Sequence, residues 1–252
     1  MNGMLIVKGI RKTFGNLVAL EDVNMSIKKG LINVLIGPNG SGKTTLINVI
    51  SGVYKPDRGK IWFNGKEITG WPPEKIYAYG IARTYQIPRV FKSLTVLENL
   101  LVASKENPGE SFSKALFKRK WIKEEGEEIK KAFKILKTVE LEDMFNKMPS
   151  ELSGGQIRLL EIGRALMSGA KLLLMDEITA GIFPPLAREI FSHLDRLKRE
   201  LKITFLIVEH RIDFVLDWAD YVYAMVDGKI IDEGNPNKVI NNPILLDRHL
   251  GD

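Results

Sequence analysis

The chain has 252 residues, enough for one sizeable core with or without an attached subdomain. It contains no cysteine, which excludes disulfides, thiolate metal sites and thiol catalysis, and its formal net charge is +6. Apolar runs such as Ile203–Val208 fall far short of the roughly 20 residues a membrane-spanning helix needs, and no apolar segment marks a signal peptide at the N-terminus, so a cytoplasmic protein is expected. In chain order, Leu5–Ile10, Val23–Ile27 and Asn33–Ile36 read as strands. A glycine-rich loop follows, then a helix over Thr44–Ser51 stopped by Gly52. Ile61–Phe63 and Lys66–Ile68, joined by Asn64-Gly65, read as a hairpin. Thr95 and Glu98 form a capping box opening a helix. A polar stretch leads to a long helix over Lys123–Val139, and a further helix runs from Ile157 within Ser150–Met167. Then come strand Lys171–Met175, helix Leu186–Glu200, strand Thr204–Val208, a helix from Arg211, strands near Tyr221–Val226 and Lys229–Ile231, and a terminal helix.

Strands alternating with helices predict a parallel sheet covered on both faces, with antiparallel hairpins at the N-terminus. The helical middle reads as an insertion. The expected fold is therefore α/β: a P-loop core with a mixed sheet, an N-terminal antiparallel β subdomain and an inserted α-helical subdomain. Its boundaries are 1–86 and 168–252 for the core and 87–167 for the insertion. The basic run Lys114–Lys131 is broken by Glu124, Glu125, Glu127 and Glu128, which reads as a solvated helix face and not as a nucleic-acid track.

Gly37, Pro38, Asn39, Gly40, Ser41, Gly42, Lys43 and Thr44 fit G-x-x-x-x-G-K-[ST] between a strand and a helix. Backbone N–H groups can wrap a phosphate only where side chains stand clear. Lys43 is placed to reach the β- and γ-phosphates and Thr44 to give its hydroxyl to Mg²⁺; Thr45 is counted with the same nucleotide contacts. Lys171–Glu177 reads as a buried strand ending in two carboxylates, at the end of a parallel sheet where ligands sit. Asp176 is expected to hold Mg²⁺, and Glu177 to polarise the attacking water, a role worth about 10²–10⁴ in rate.

Together with "L-S-G-G-Q" at Leu152–Gln156 just upstream of "L-L-L-M-D-E", these motifs resemble the ATP-binding subunit of an ABC transporter over essentially the whole chain. The resemblance implies ATP and Mg²⁺ as cofactors and an ATP-dependent homo- or heterodimer of ATPase chains. In it Ser153, Gly154, Gly155 and Gln156 of one chain would face the nucleotide held by the other, so two half-sites make one composite site. It further implies Gln86 as a sensor of Mg²⁺ and the lytic water, His210 as a γ-phosphate contact and Phe14 as the aromatic stacked on adenine. His193 and His249 match no motif and read as surface or packing residues. Two positions depart from the family pattern D-E-P-T-A-G-L-D. Ile178 stands for the proline and Phe183 for the aspartate that couples the two sites. "R-T-Y-Q-I-P-R-V-F-K-S-L-T-V-L-E-N-L" and the C-terminal "E-G-N-P-N-K-V-I" are similar to ATPases of branched-chain amino-acid importers. That resemblance implies an ATPase peripheral on the cytoplasmic face of the membrane, working on two separate integral permease subunits and indirectly with an extracytoplasmic solute-binding protein. The alternatives are a soluble ABC ATPase of iron–sulfur assembly and a lipopolysaccharide-exporter ATPase.

Overall fold

Three five-residue strands carry the sequence's densest apolar runs: β3 (Ile32–Ile36), β7 (Leu172–Asp176) and β8 (Thr204–Val208). Every residue in them is buried, as parallel strands covered on both faces require. In the computed structural model they form the middle of a six-stranded sheet with β6 (Ile81–Arg83), β9 (Tyr221–Val226) and β10 (Lys229–Gly234), in the order β10-β9-β3-β8-β7-β6. The β3–β8, β3–β9, β6–β7 and β7–β8 pairs are parallel, while β9 and β10 form an antiparallel hairpin. The structure describes residues 3–84, 88–104, 118–178, 183–209 and 216–249, with the side chains of 118–124 and 248–249 excluded.

A second sheet, antiparallel and in the order β2-β1-β4-β5, is built from β1 (Leu5–Phe14), β2 (Leu17–Ile27), β4 (Arg58–Phe63) and β5 (Lys66–Glu67). Both sheets contribute to one hydrophobic cluster that includes Leu5, Ile27, Phe63, Leu35, Leu174 and Met225. Tyr223 of β9 is fully buried there and donates its hydroxyl to the Ser26 carbonyl of β2 at 2.6 Å. Burial pushes that hydroxyl's pKa up, so it remains a donor. The buried Asn33 is likewise satisfied: its amide donates to the carbonyls of Lys28, Leu31 and Phe205 at 3.1–3.2 Å.

The helices of this part are α1 (Lys43–Ile50), α2 (Pro73–Tyr79), α6 (Pro184–Leu201), α7 (Pro236–Ile240) and α8 (Pro243–His249). Along α6, Ala187, Ile190, Phe191, Leu194 and Leu197 are buried at the three- and four-residue spacing of a single helical face. His193 is buried on the same helix, which makes it a packing residue.

A separate compact unit, Ile87–Ala170, contains α3 (Val96–Val102), α4 (Lys118–Thr138) and α5 (Gly154–Met167); the sheets belong to the other unit, Met1–Gln86 with Lys171–Asp252. The three helices pack on one another. Gly163 of α5 lies where Leu100, Ile135 and Val139 converge, their methyl carbons 3.6–3.8 Å from where its Cβ would be. Asn99 is fully buried and staples the segment before α3, donating to the carbonyls of Phe91, Leu94 and Thr95 at 2.9–3.0 Å and accepting from the Phe91 N–H at 2.9 Å.

The structure differs from the sequence reading in several places. β1 runs on to Phe14 and β2 starts at Leu17, because the polar ends pair with each other through a series of register shifts. α5 begins at Gly154 and not at Ile157, because Ser153 and Gln156 form a capping box ahead of the apolar face. α2 and β6 are additional elements. The single terminal helix is two, divided at Asn241–Asn242. The helix expected from Arg211 begins outside the described residues, and 216–218 are helical.

Candidate active site

Gly37 follows β3 at φ +155°, and a Cβ there would stand 2.0 Å from the Met225 carbonyl oxygen. Gly42, at φ +102°, caps α1, and its Cβ would stand 2.6 Å from the Ala19 carbonyl. The loop therefore lies directly on neighbouring backbone, and only glycine fits at these two positions. Gly228 donates its N–H to the Ser41 carbonyl at 3.0 Å and closes the loop onto the β9–β10 turn. Lys43 is buried and its ammonium reaches back over the loop, donating to the carbonyls of Gly37 and Pro38 at 2.7 and 2.8 Å.

The loop from Asn39 onward lines a cavity of about 450 Å³. Asn39, Gly40, Ser41, Gly42, Lys43, Thr44 and Thr45 form one wall, Phe14 and Leu17–Ala19 another, and Glu177, Asp227 and Gly228 complete it. Phe14 is 42% exposed, so it is not a core residue, and it meets Tyr54 edge-on at 5.2 Å. Its place at the end of β1 is fixed by Asp57, which accepts from the Thr13 N–H at 2.6 Å, the Thr13 hydroxyl at 2.8 Å and the Lys12 ammonium at 3.0 Å. These hydrogen bonds, the Thr13 hydroxyl's first, hold the Asp57 carboxyl down at a pKa of about 2.

Glu177 has φ +49°, a left-handed conformation costly for a side chain with a Cβ, and its N–H is held by the Val208 carbonyl at 3.0 Å. The sharp turn at the end of β7 brings Glu177 to the cavity wall. Asp176, one residue earlier, is buried. Burial raises its pKa above the usual carboxylate range, opposed by the nearby charge of Arg83. Arg83 Nη2 lies 3.2 Å from Asp176 Oδ2. Asp176 Oδ1 is buried with no hydrogen-bond partner among the described residues. Among those residues no three His, Asp or Glu cluster as a ready-made metal cage. A single orphaned carboxylate oxygen near a hydroxyl-bearing phosphate loop suits Mg²⁺, which takes one or two carboxylates plus phosphate oxygens.

Ser153 caps α5 in the helical unit; its Oγ accepts from the Gln156 N–H at 3.2 Å, and Gln156 Oε1 accepts from the Ser153 N–H at 2.9 Å. Ser153 and Gly154 are exposed, and Gly155 is buried. The cap uses the serine oxygen as an acceptor, so its O–H can still donate elsewhere. Gln86 and His210 lie outside the described residues. Ile178 is buried, and Phe183, 74% exposed, precedes the first turn of α6. Leu17–Ala19, Asp227 and Gly228 line the cavity without carrying any motif. Arg83, too, was missed: it stands three residues before Gln86, and nothing local points to a partner 93 residues away.

A glycine-rich phosphate loop between strand and helix, with two carboxylates at the end of a neighbouring parallel strand, defines a P-loop ATPase. The ABC transporter family model matches residues 20–180, and the chain belongs to that family. The "Probable branched-chain amino acid transport ATP-binding protein LivG" of Methanocaldococcus jannaschii is 47% identical over 253 residues, covering 99% of this chain and 98% of that protein. A crystal structure of the ADP conformation of MJ1267, an ATP-binding cassette of an ABC transporter, matches with a TM-score of 0.86 and 47% identity over 99% of both chains. MJ0796, an ATP-binding cassette in a dimeric post-hydrolysis state bound to ADP and Pi, matches with a TM-score of 0.72 and 27% identity over 92% of this chain and 99% of that one. The mixed sheet, the antiparallel N-terminal sheet and the helical insertion agree with the fold class expected from the sequence.

Proposed function

We propose that this ABC ATPase powers an importer of branched-chain or other hydrophobic amino acids from the cytoplasmic face of the membrane, through separate permease subunits. One observation carries the reading: the phosphate loop and Glu177 share one cavity in a chain that aligns end to end with a relative of that name. The relative's name also favours branched-chain amino-acid transport over the iron–sulfur and lipopolysaccharide alternatives. Among the described residues no helix is long and apolar enough to cross a membrane; in this reading the solute path belongs to the separate permease subunits.

In this reading Phe14 stacks on adenine, and the N–H groups of residues 37–45 with Lys43 bind the phosphates. Thr44 and Asp176, with Gln86, would hold Mg²⁺, which would supply charge neutralisation for the phosphates. Glu177 takes a proton from the attacking water, and His210 contacts the γ-phosphate. Ser153 to Gln156 of a second ATPase chain complete the site, as the dimeric state of MJ0796 supports. ATP binding closes the dimer; the helical part, residues 87–167, transmits closure to the permeases; hydrolysis and release reopen it.

Purification from native membranes in mild detergent tests this. Two integral membrane chains are expected to accompany the protein, and ligand screening of an associated solute-binding protein would name the solute. Recovery with soluble partners alone would contradict the importer reading and leave the ATPase standing.

A further inference from the structure

Arg83 lies at the end of β6 and is paired in register with Leu174 of β7. Side chains two apart on a strand share a face, so Asp176 stands beside Arg83 on that face. The guanidinium takes Asp176 Oδ2 at 3.2 Å, both side chains being nearly nine-tenths buried. Its other arm reaches α1, where Nη1 donates to Asn48 Oδ1 and lies 3.4 Å from Ser51 Oγ. Asn48 is four residues after Thr44, so the two lie on one face of the helix. Arg83 thus joins the helix face that carries Thr44 to the carboxylate of Asp176. It occupies one carboxylate oxygen and leaves the orphaned Oδ1 for another partner.

We propose that Arg83 is a positioning residue for the Mg²⁺ half of the site: it assigns Asp176 Oδ1 to the metal and fixes the separation between Asp176 and Thr44. This rests on the reading that those two side chains hold Mg²⁺. A planar fork can grip a carboxylate and an amide in fixed directions at once, which a lysine ammonium does less well. Groups that orient metal ligands in this way are worth 10–100-fold in metal affinity or activity.

The test is equilibrium binding of a fluorescent ATP analogue to purified protein, titrated with Mg²⁺ from a chelated start, for wild type, Arg83→Met and Arg83→Lys. Arg83→Met is expected to bind the analogue like wild type without Mg²⁺ but to need about tenfold more Mg²⁺ to reach the tight-binding state. Arg83→Lys should recover part of the difference. With saturating Mg²⁺, kcat should fall more than KM changes. A folded Arg83→Met with a wild-type Mg²⁺ titration would overturn the proposal. If Arg83→Met does not fold, Asn48→Leu, which removes only the brace to α1, should shift the Mg²⁺ midpoint in the same direction, and an unmoved midpoint would overturn it equally. A wild-type protein whose nucleotide binding ignores Mg²⁺ would instead remove the underlying metal assignment.

Discussion

At the scale of single residues, the phosphate loop is constrained twice, once by chemistry and once by space. Lys43 supplies the charge, so Lys43→Ala is expected to weaken ATP binding at least about tenfold, given that a charge-assisted hydrogen bond contributes about 1.5–3 kcal/mol; a binding titration checks this, and unchanged affinity would remove the loop from the nucleotide site. Space acts at Gly37, where a methyl group would meet the Met225 carbonyl oxygen at 2.0 Å. The glycine–lysine spacing made this half of the site legible, because that chemistry is local. The cavity wall formed by Phe14 and Leu17–Ala19 was legible only at Phe14. The brace that holds it, Asp57 against Thr13 and Lys12, joins residues 44 and 45 apart in sequence and has no local signature. The left-handed turn at Glu177 was equally hidden, since no glycine marks it.

At the scale of elements, the helical unit depends on what happens before α3. Replacing Asn99 by Leu would leave the Phe91 N–H and the Leu94 carbonyl without a partner, while the Phe91 and Thr95 carbonyls would keep their backbone donors, the N–H groups of Leu94 and residue 99. The expected loss is about 3 kcal/mol, as each buried polar group left without a partner costs about 1–3 kcal/mol; denaturant unfolding measures it, and a change of only a few tenths would deny the staple. The capping box of the same helix gives a pH signature. Hydrogen bonds from the Thr95 N–H and hydroxyl lower the pKa of Glu98 from 4.5. A carboxyl depressed in the folded state contributes stability above its unfolded pKa and loses it as pH falls through the folded value. Stability is therefore expected to decline below pH 4.5 partly through Glu98, and Glu98→Gln should remove that part of the slope in acid unfolding curves. The Thr95 box was readable from its four-residue pattern. α2 and β6 were not. Seven residues with tyrosines at Tyr77 and Tyr79 carry no clean apolar period, and a three-residue strand carries none at all. The available signal was Pro72-Pro73, since proline is favoured at the first helical position.

At the scale of the whole molecule, the two glycine-bearing motifs fall in different units of the chain: residues 37–45 with the sheets, Ser153–Gln156 at the head of α5. The proposed composite site, shared between two chains, would give both a use. The alternation of strands and helices revealed the mixed sheet, because parallel strands leave runs of buried apolar residues. The pairing order did not show, because it joins segments more than 100 residues apart, such as β3 with β8. At this scale an ATP-dependent dimer is expected: a variant that binds ATP without cleaving it should sediment at about twice its monomer mass with ATP and Mg²⁺, because nothing then resets closure. A variant that remains monomeric with nucleotide bound would exclude self-association and direct attention to a second ATPase chain. The most direct test of the account is ATP turnover by the wild-type protein and by Glu177→Gln, with nucleotide binding measured on both. The prediction is that both bind ATP, the wild type hydrolyses it, and the variant is slower by about 10²–10⁴-fold, the worth of a positioned general base. Turnover by Glu177→Gln close to the wild-type rate would contradict it.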